Sequence, residues 1–372
     1  MRYDLAVIGG GLAGVATAYY ASKAGARVVL LERRDINLGA SGSNAGSIHA
    51  QIPFDPFRHL GDAWAKRFSH VLPLFTASIE LWAGLQAELQ GELGFAAKGG
   101  LMVAGSDDDL QALHRKAAIE RSQGLQIDMW DANDLATRAP FLTPGYPGGA
   151  FCPIEGKADP FRVTPLYLRR AKEMGLTVLR NAPVRAITQE TQGFTLDVGD
   201  RPIHADKVVN AAGADAASVA QMVGAHVPMD AHAIQVSVTE KRPDLLPWLL
   251  YFTSEKLTLK QAAEGGFLIG GGWPARMRGG PVVDHRSVVR NLALAQRLVP
   301  ALDGVQIVRS WAAVVNGTAD WRPILGEVSQ VPGFFLNLFP WMGFTAGPII
   351  SRTIAELALG QESSIDLTPF AL

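Results

Sequence analysis

Three glycines near the start of the chain constrain its fold more than any other feature. Gly9, Gly11 and Gly14 follow a short apolar run, residues 5–8, which is typical of a strand buried on both faces. A predicted alanine-rich helix comes next, and a second apolar run ends in Glu32, eighteen residues after Gly14. Strand, glycine turn, helix, strand and acid in this order indicate a βαβ unit that binds a dinucleotide.

The parts of this unit have separate physical roles. Gly9 allows a tight turn, Gly11 allows the backbone to approach a pyrophosphate, and Gly14 allows the helix to pack closely on the strand. The helix N-terminus offers N–H groups to the pyrophosphate, and Glu32 can accept hydrogen bonds from a ribose diol. This acid disfavours NADP, so FAD and NAD are the candidates, with a glycine-rich turn lacking any ligand as the alternative. The residues predicted to hold the dinucleotide here are Gly9, Gly11, Leu12, Ala13, Gly14, Glu32 and Arg33.

Composition and charge argue against several functional classes. The chain has 372 residues, enough for two domains, and its net charge of −1 without a basic block argues against nucleic acid binding. Its single cysteine, Cys152, excludes an internal disulfide and a cysteine-rich metal cluster, and no metal site is predicted. The first strand is predicted almost at Met1, and the apolar stretch 334–350 is interrupted by Asn337 and Pro340. We expect a cytoplasmic protein without a signal peptide or transmembrane segment, and peripheral membrane contact stays open.

A segment rich in glycine, serine and asparagine follows Glu32. It lacks a helical period, and we interpret it as an ordered loop whose small residues let backbone amides wrap around a ligand. Residues 44–47 are predicted to face a cofactor ring. For His49 the alternatives are a hydrogen-bonded wall residue and a contact to substrate or flavin. The residues singled out in this loop are Ser41, Asn44, Ala45, Gly46, Ser47, His49 and Gln51.

Two later stretches carry weaker signals of the same kind. A predicted strand runs into residues 210–213, where small side chains again allow the backbone to approach a cofactor. Near the C-terminus, MGFTAGP (342–348) leads into a helix predicted from about Ala346 to Leu359. An ordinary glycine turn before a helix is the alternative for the second stretch.

The predicted helix between Ser106 and Gly124 carries many charges. Its first turn is acidic and its later part is basic, which suits the helix dipole. We therefore interpret these charges as a solvated face rather than as part of a site.

Four separated pieces of the sequence together resemble one family. They are the N-terminal glycine motif with Glu32, SGSNAGSIHA (41–50), VVNAAGADA (208–216), and GTADWRPILG (317–326) with MGFTAGP. Their order and spacing resemble the FAD-dependent D-amino-acid oxidase superfamily over nearly the whole chain. The nearer relatives look like glycine and sarcosine oxidases, the flavoprotein subunit of hydrogen cyanide synthase, and the β-subunit of opine and D-hydroxyproline dehydrogenases.

The resemblance implies an α/β fold of two domains, a discontinuous Rossmann-like FAD-binding domain and a substrate domain with a mixed or antiparallel sheet. We predict that residues 1–85, 145–220 and 305–372 form the FAD-binding domain, and that residues 86–144 and 221–304 form the substrate-binding domain. The C-terminal helix would direct its N-terminus at the flavin pyrimidine edge. The further FAD contacts that the resemblance implies are Val184, Ala212, Gly213, Met342, Gly343, Phe344 and Thr345.

The resemblance also implies oxidation of an amine carbon by hydride transfer to flavin N5. The substrate would be a small secondary amine, a D-amino acid or an opine-like compound. The second hypothesis is a flavoprotein subunit whose partner chains pass electrons on, with any iron–sulfur cluster on another chain. A homo-oligomer also stays open, and an NAD-dependent dehydrogenase is the third hypothesis. FAD would be held without a covalent bond, because His49 is offset by one residue from the tethering histidine of dimethylglycine-type relatives and Cys152 does not match the cysteine of sarcosine oxidases.

The sequence departs from the family pattern where a substrate carboxylate is expected to bind. In glycine oxidases an arginine shortly after a W-A-G-type strand binds this group, and the matching position here is Val315. Either another cation replaces the arginine, or the substrate is not a simple α-amino acid. Arg322 is the first candidate, because a guanidinium fits a carboxylate better than an ammonium does. The other candidates are Arg276, Arg278 and Lys260.

Two tryptophans are candidates for the walls of the substrate pocket. Trp273 and Trp341 could contact an apolar or ring-shaped substrate, and core packing is the alternative for both. Bulky residues at 338–342 would narrow the pocket or cover an interface with another subunit. The predicted substrate-pocket residues are therefore His49, Gln51, Lys260, Trp273, Arg322 and Trp341.

Overall fold

Two eight-stranded sheets organise the computed structural model, which describes residues 2–199 and 202–372. In chain order the strands are β1 (Arg2–Ile8), β2 (Val28–Leu31), β3 (Ser47–Ile48), β4 (Gly100–Val103), β5 (Asp128–Asp131), β6 (Gly148–Cys152), β7 (Gly156–Lys157), β8 (Thr177–Leu179), β9 (Ala186–Gln189), β10 (Phe194–Asp197), β11 (Pro202–Asn210), β12 (Asp230–Lys241), β13 (Leu249–Phe252), β14 (Leu257–Gln261), β15 (Gly266–Pro274), β16 (Arg276–Met277), β17 (Pro281–Val282), β18 (Ile307–Gly317), β19 (Ile324–Glu327) and β20 (Phe334–Leu338). The helices are α1 (Leu12–Lys23), α2 (Ala40–Ser43), α3 (Phe54–Phe68), α4 (Leu72–Leu89), α5 (Asp107–Ser122), α6 (Ala132–Arg138), α7 (Pro160–Glu173), α8 (Ala216–Gln221), α9 (His285–Leu298) and α10 (Gly343–Ala358).

The first sheet contains the predicted βαβ unit. Its main order is β19-β20-β11-β1-β2-β8, with β10 paired to β11 and β9 paired to β10. Strand β1 is parallel to both β2 and β11, and all four residues of β2 are buried. Helices on both faces cover such a parallel sheet, so its central strands are apolar without alternation. The carboxyl ends of β1, β2 and β11 therefore meet at one edge, where α1 begins.

The second sheet has the order β18-β12-β15-β14-β13-β4-β6-β5. Neighbouring strands are antiparallel except for β4 and β13, which are parallel. The first sheet contains both parallel and antiparallel pairs, and the second sheet is mostly antiparallel. Together with the helices, these two sheets confirm the predicted α/β fold class. The pairing of β14 with β15 also follows the two predicted strands.

Two strands of the second sheet lie outside the segments assigned to it from sequence. Residues 145–220 and 305–372 were assigned to the FAD-binding domain, yet β6 and β18 belong to the second sheet. Strand β18 pairs with β12 from Asp230–Gly317 to Thr239–Ile307. An apolar strand pattern specifies burial but not which sheet edge it joins, and this choice depends on distant partners. The division into two domains and its boundaries stay a prediction, and the structure shows only that β6 and β18 pair within the second sheet.

Helices pack on both sheets. Helices α1, α4, α7 and α10 share one hydrophobic cluster with the first sheet, while α8 joins the cluster on its other face. Helix α9 contributes to a third cluster on the second sheet. No helix in residues 2–199 or 202–372 combines the length and apolar character needed to cross a membrane.

Helix α10 starts earlier than the sequence indicated. The prediction placed its start at about Ala346, whereas the helix begins at Gly343 and contains Pro348. Proline lacks one N–H donor, so it is tolerated near the start of a helix more readily than in the interior. The early start puts the first turn of α10 beside the loop that contains α2 and β3.

Candidate active site

Two glycines bring three backbone segments together at the start of α1. Gly9 has a φ of +113°, and a Cβ atom there would lie 2.4 Å from the Ala211 carbonyl oxygen beyond β11. A Cβ atom at Gly14 would lie 1.9 Å from the Gly9 carbonyl oxygen. Side chains are sterically excluded at both positions, so β1, α1 and the end of β11 form a cradle of backbone groups.

The first turn of α1 contributes no side chain of its own that would compete with a bound anion. Its N-cap residue, Gly11, makes no side-chain cap, and the first turn contains no acidic residue. The Leu12 amide donates to the Ser41 hydroxyl at 2.9 Å, which holds the loop after β2 beside the helix start. The partial positive charge and N–H groups of this helix end suit a pyrophosphate.

Glu32 lies at the end of β2 next to the glycine turn. Its carboxylate accepts hydrogen bonds from the Gly10 and Arg34 amides, each at 2.7 Å. Arg33 instead forms an ion pair with Asp215 at 2.7 Å. Of the other residues predicted to hold the dinucleotide, Ala212 and Gly213 follow β11 directly, and Val184 lies between β8 and β9.

Polar side chains order the loop between β2 and β3. Asn44 accepts from the Gly46 amide at 2.7 Å and donates to the Ser41 carbonyl at 2.6 Å. Gly46 has a φ of +72°, and a Cβ atom there would lie 2.1 Å from the Ala158 carbonyl oxygen. This geometry presents Asn44 and its neighbours to a cavity.

A cavity of about 310 Å³ lies between this loop, the second sheet and the start of α10. Its walls are rich in aromatic and apolar side chains, as in most small-molecule sites. These include Phe54, Met102, Tyr251, Phe252, Trp311, Val315, Trp321, Trp341 and Phe344.

Half of the predicted substrate-pocket residues line this cavity, namely His49, Gln51 and Trp341. The His49 amide donates to the Thr345 hydroxyl at 2.9 Å, which joins the loop to the start of α10. Six residues predicted to contact the flavin also line the cavity: Asn44, Ala45, Ser47, Met342, Phe344 and Thr345.

Lys260 and Trp273 do not line the cavity. Lys260 is buried in β14 and donates to the Ser47 hydroxyl at 2.6 Å, behind the wall. Burial lowers the pKa of Lys260, and the nearby Lys157 lowers it further. The Trp273 indole is buried and donates to the Lys256 carbonyl.

Arg322, the first candidate for a carboxylate-binding cation, lies away from the cavity. Its guanidinium donates to the Pro369 carbonyl at 2.6 Å and lies over the Phe370 ring. Both partners belong to the C-terminal segment. The local sequence around Arg322 could not indicate that this segment lies next to it. The two other arginine candidates also lie elsewhere: Arg276 pairs with Asp284 at 2.9 Å, and Arg278 belongs to the turn between β16 and β17.

Val315 lies in the cavity wall at the position where the family pattern has the arginine. Besides His49, two basic side chains line the cavity, and both are paired. Arg58 forms an ion pair with Asp109, and Lys256 pairs with Asp55 at 3.1 Å. Among the described residues, the cavity lining therefore offers no unpaired guanidinium or ammonium.

Two stacked tryptophans form one wall of the cavity. The rings of Trp321 and Trp341 lie 4.8 Å apart at 20°, and His232 packs against Trp341. Their φ angles are +67° and +58°, a left-handed conformation that costs a bulky residue roughly 1–3 kcal/mol. Backbone strain that is retained at a cavity wall indicates a binding surface. Of these two residues, the sequence analysis named only Trp341.

A buried carboxylate behind the cavity escaped the sequence analysis. Glu155 accepts hydrogen bonds from the Ala50 and Gln51 amides at 2.6 and 2.8 Å, and from the Gln51 side chain at 3.0 Å. The cavity-lining Tyr251 hydroxyl lies 2.7 Å from the His49 Nδ1 atom. Glu155 sits in a turn-rich segment, and no local pattern indicated that it contacts the loop around position 50.

The interpretation of α5 as a solvated face is wrong for three of its charged residues, because Asp109, Lys116 and Glu120 are buried. Lys116 and Glu120 are fully buried and pair at 2.6 Å. Glu120 also accepts from the Ile52 amide at 2.6 Å. Their spacing from the buried Leu113 and Ala117 places all four on one helix face, a signal that was available in the sequence.

Residues 4–357 match the family described as DAO, FAD dependent oxidoreductase. The chain belongs to this family of FAD-dependent oxidoreductases. The B component of the opine oxidase of Agrobacterium tumefaciens (strain Ach5) is 29% identical over 343 residues, covering 90% of this chain and 87% of that protein. The β-subunit of the sarcosine oxidase of Arthrobacter sp is 24% identical over 380 residues, covering 100% and 90%. The glycine oxidase structure from Geobacillus kaustophilus has a TM-score of 0.87 at 24% identity and covers 100% of this chain and 98% of that one.

FAD is the cofactor of this oxidoreductase, and the residues at the site fit it. The backbone cradle at Gly9 and Gly14 excludes side chains, and the uncapped start of α1 accepts a pyrophosphate. The Glu32 carboxylate lies next to this cradle, at a position that fits the hydroxyl groups of a ribose. At the other end, the cavity between Asn44 and Thr345 has aromatic and apolar walls that fit a flat ring system. The predicted family and cofactor are thus confirmed.

Replacing Glu32 with glutamine is expected to weaken FAD binding roughly 10- to 100-fold. The amide keeps the shape, but hydrogen bonds to a charged acceptor are worth about 1.5–3 kcal/mol and the substitution removes the charge. FAD titration of the apoprotein, followed by flavin fluorescence, measures the change. Glu327→Gln is the matched control, since Glu327 also ends a strand and accepts a glycine amide, from Gly333 at 2.6 Å. Equal affinities for both variants would contradict a ribose contact at Glu32.

Proposed function

We propose that this protein oxidises the C–N bond of a small amine or amino acid, of the secondary amine, D-amino acid or opine-like type. The observation that carries the proposal is the cavity itself. It lies between the loop 44–51 and the start of α10, and it is closed by apolar and aromatic walls from the second sheet. Two similar proteins belong to an opine oxidase and a sarcosine oxidase, which supports this substrate class.

FAD, when bound without a covalent link, supplies a two-electron acceptor at flavin N5 for the hydride of the substrate carbon. The chain contributes orientation and electrostatics. The uncapped N-terminus of α10, with no acidic residue in its first turn, favours negative charge nearby. The aromatic walls exclude water from the reacting bond, which strengthens these electrostatic effects.

Within this class, we infer that the substrate is not a simple α-amino acid. Val315 cannot bind a carboxylate, and Arg58 and Lys256 already hold carboxylates of the chain. The stacked Trp321 and Trp341 offer a flat apolar surface instead. A secondary amine with an apolar or ring-shaped substituent therefore complements the cavity better than glycine does.

A second candidate is a flavoprotein subunit that needs partner chains to pass electrons on. The names of the opine and sarcosine oxidase relatives describe subunits, which favours this candidate. It differs from the first only after the flavin has been reduced. Reoxidation of the reduced protein by air compared with an artificial dye distinguishes the two, since a dependent subunit is expected to react slowly with oxygen.

Anaerobic reduction of the flavin by an amine panel tests the proposal. The panel contains glycine, D-alanine, sarcosine, proline, opines and N-substituted amines with aromatic groups. We expect at least one bulky secondary amine to bleach the flavin about tenfold or more faster than glycine, because only the former fills the apolar wall. Reduction by glycine alone would contradict the inferred substrate class, and no reduction by any amine would contradict the proposed function.

A further inference from the structure

A second, much smaller cavity adjoins Lys260, apart from the large cavity between the loop 44–51 and α10. Its volume is about 10 Å³, roughly the space of one water-sized occupant. Three lysines from separate segments line it: Lys98 before β4, Lys157 of β7 and Lys260 of β14. Among the described residues, no acidic side chain belongs to this lining. Three ammonium groups around so small a space are suited to hold an anion.

Lys260 is buried without a carboxylate beside it. The other buried lysine of the described residues, Lys116, pairs with the carboxylate of Glu120 at 2.6 Å. Lys260 has only the Ser47 hydroxyl, at 2.6 Å, so two of its three N–H donors have no acceptor in the described part of the chain. Burial of an ammonium is costly unless an opposite charge lies close to it. The chain itself does not supply that charge to Lys260.

The other two lysines are also without an ion pair in residues 2–199 and 202–372. Lys157 is half-buried and donates to the Gln261 carbonyl, whereas Lys98 is exposed at the rim of the small cavity. The acids nearby, Asp244 and Glu264, affect Lys157 only through space, and Glu264 pairs with Arg162 at 3.4 Å. The positive charge of the three lysines is therefore not compensated within the small cavity.

The three lysines also repel one another. Burial lowers the pKa of Lys260, and Lys157 lowers it further. Burial likewise lowers the pKa of Lys157, with a further contribution from Lys98. One anion among the three would add an attraction to each ammonium, and such attractions are strong where water is partly excluded.

The size and the accessibility of the small cavity define the class of its occupant. Lys98 and Pro247 are exposed, so a solute can reach the cavity from solvent. A volume of about 10 Å³ admits a halide ion or the end of a carboxylate group, but it is too small for a whole phosphate or sulfate.

We propose that Lys98, Lys157 and Lys260 form a binding site for one small monovalent anion, either a halide ion or a carboxylate group. Lys260 is its inner ligand and Lys98 its outer ligand. The anion favours the ammonium form of Lys260, which donates to the Ser47 hydroxyl, and Ser47 lines the large cavity. The occupant therefore controls the charge directly behind one wall of the large cavity.

Thermal unfolding of the holoenzyme in low-salt buffer tests this site. Sodium chloride and sodium formate are the two probes, and sodium gluconate at equal ionic strength is the control for screening, because its anion is too large for the cavity. We expect chloride, formate or both to raise the Tm of the wild type saturably beyond the gluconate value, since a ligand of the folded state stabilises it. A response to chloride alone identifies a halide site, and a response to formate alone identifies a carboxylate site. Equal Tm values in all three salts would overturn the proposal.

Substitution of the lysines assigns the effect to the small cavity. We expect Lys98→Met, at an exposed position, to weaken the half-saturating concentration at least about 10-fold, and Lys260→Met to abolish the specific response. Lys172→Met is the matched control for Lys98, because Lys172 is exposed on α7 and does not line the cavity. A response of Lys98→Met that equals those of Lys172→Met and the wild type would contradict the site.

Crystals of the holoenzyme locate the anion, with bromide in place of chloride if chloride is the better ligand. We expect density for the ion in the small cavity of the wild type and none there in Lys260→Met. Density confined to other surfaces would mean an adventitious ion only and would overturn the proposal. These measurements need no amine, so their result is independent of the proposed substrate class.

Discussion

Replacing Gly14 with alanine is expected to abolish FAD retention and to lower the free energy of unfolding by about 3 kcal/mol or more. The new Cβ atom would lie 1.9 Å from the Gly9 carbonyl oxygen and 3.0 Å from its carbonyl carbon. Both are backbone atoms of the turn, so no side-chain rotation can relieve the overlap. Helix α1 must therefore move away from β1, which opens the cradle that holds the pyrophosphate.

Gly84→Ala provides a matched control for this prediction. Gly84 also lies in a helix, α4, but nothing lies within 4 Å of the position where its Cβ atom would be. Alanine is favoured over glycine in a helix by about 1 kcal/mol, so this variant should keep its flavin and be slightly more stable. Flavin absorbance after gel filtration and urea unfolding measure both effects. Retention of full FAD content by Gly14→Ala would show that the cradle does not hold the cofactor.

Replacing Lys116 with methionine is expected to lower the free energy of unfolding by about 3–5 kcal/mol near neutral pH. Methionine keeps the volume of the buried stem but leaves the Glu120 carboxylate without its cation. Both side chains are fully inaccessible to solvent in the pair, so water cannot replace the lost partner. The loop at Gln51 and Ile52 is also bonded to this pair, so we expect weaker flavin binding as well.

The pH dependence of this effect has a definite sign. Burial raises the pKa of Glu120 above its ordinary value of 4.5, and Lys116 opposes that rise. Without Lys116 the pKa of the folded state rises further above that of the unfolded state. The folded variant then binds more protons than the unfolded chain, so its stability is highest at low pH and falls as pH increases above about 4.5. The cost of the substitution should therefore be smaller near pH 5 than near pH 8.

Lys23→Met is the control for the buried pair. Lys23 pairs with Glu88 at a similar distance, 2.7 Å, but its side chain is half exposed. Exposed ion pairs contribute about 0–1 kcal/mol, so this variant should unfold almost like the wild type. Denaturant unfolding at several pH values measures both variants. Equal stability losses for Lys23→Met and Lys116→Met would contradict an uncompensated charge at Glu120.

The nucleotide end of the site could be predicted because its causes are local. A glycine is needed wherever a Cβ atom would overlap with backbone atoms. The Cβ atom would overlap with the same βαβ unit at Gly14 and with the end of the adjacent strand β11 at Gly9. The position of Glu32 beside the glycine turn follows from the lengths of α1 and β2, which separate the two along the chain. These local features therefore indicated a dinucleotide, whereas the family and FAD came from the resemblance of four separated pieces of the sequence.

The substrate end could not be predicted in the same way. Arg322 was the first candidate because a guanidinium fits a carboxylate, yet its guanidinium donates to the C-terminal segment. Trp321, Tyr251 and Glu155 gained their roles from partners tens to hundreds of positions away. No periodicity or short motif records such contacts, because they depend on how sheets and helices pack.

Short-range sterics and hydrogen bonding along one βαβ unit thus suffice to indicate a dinucleotide-binding chain. Which strands share a sheet, which charges are buried together and which aromatic rings face the substrate follow from long-range packing. The cavity wall illustrates the difference, since His49, Tyr251 and Trp341 come from three separate segments of the chain. These side chains line one cavity only once folding has brought those segments together.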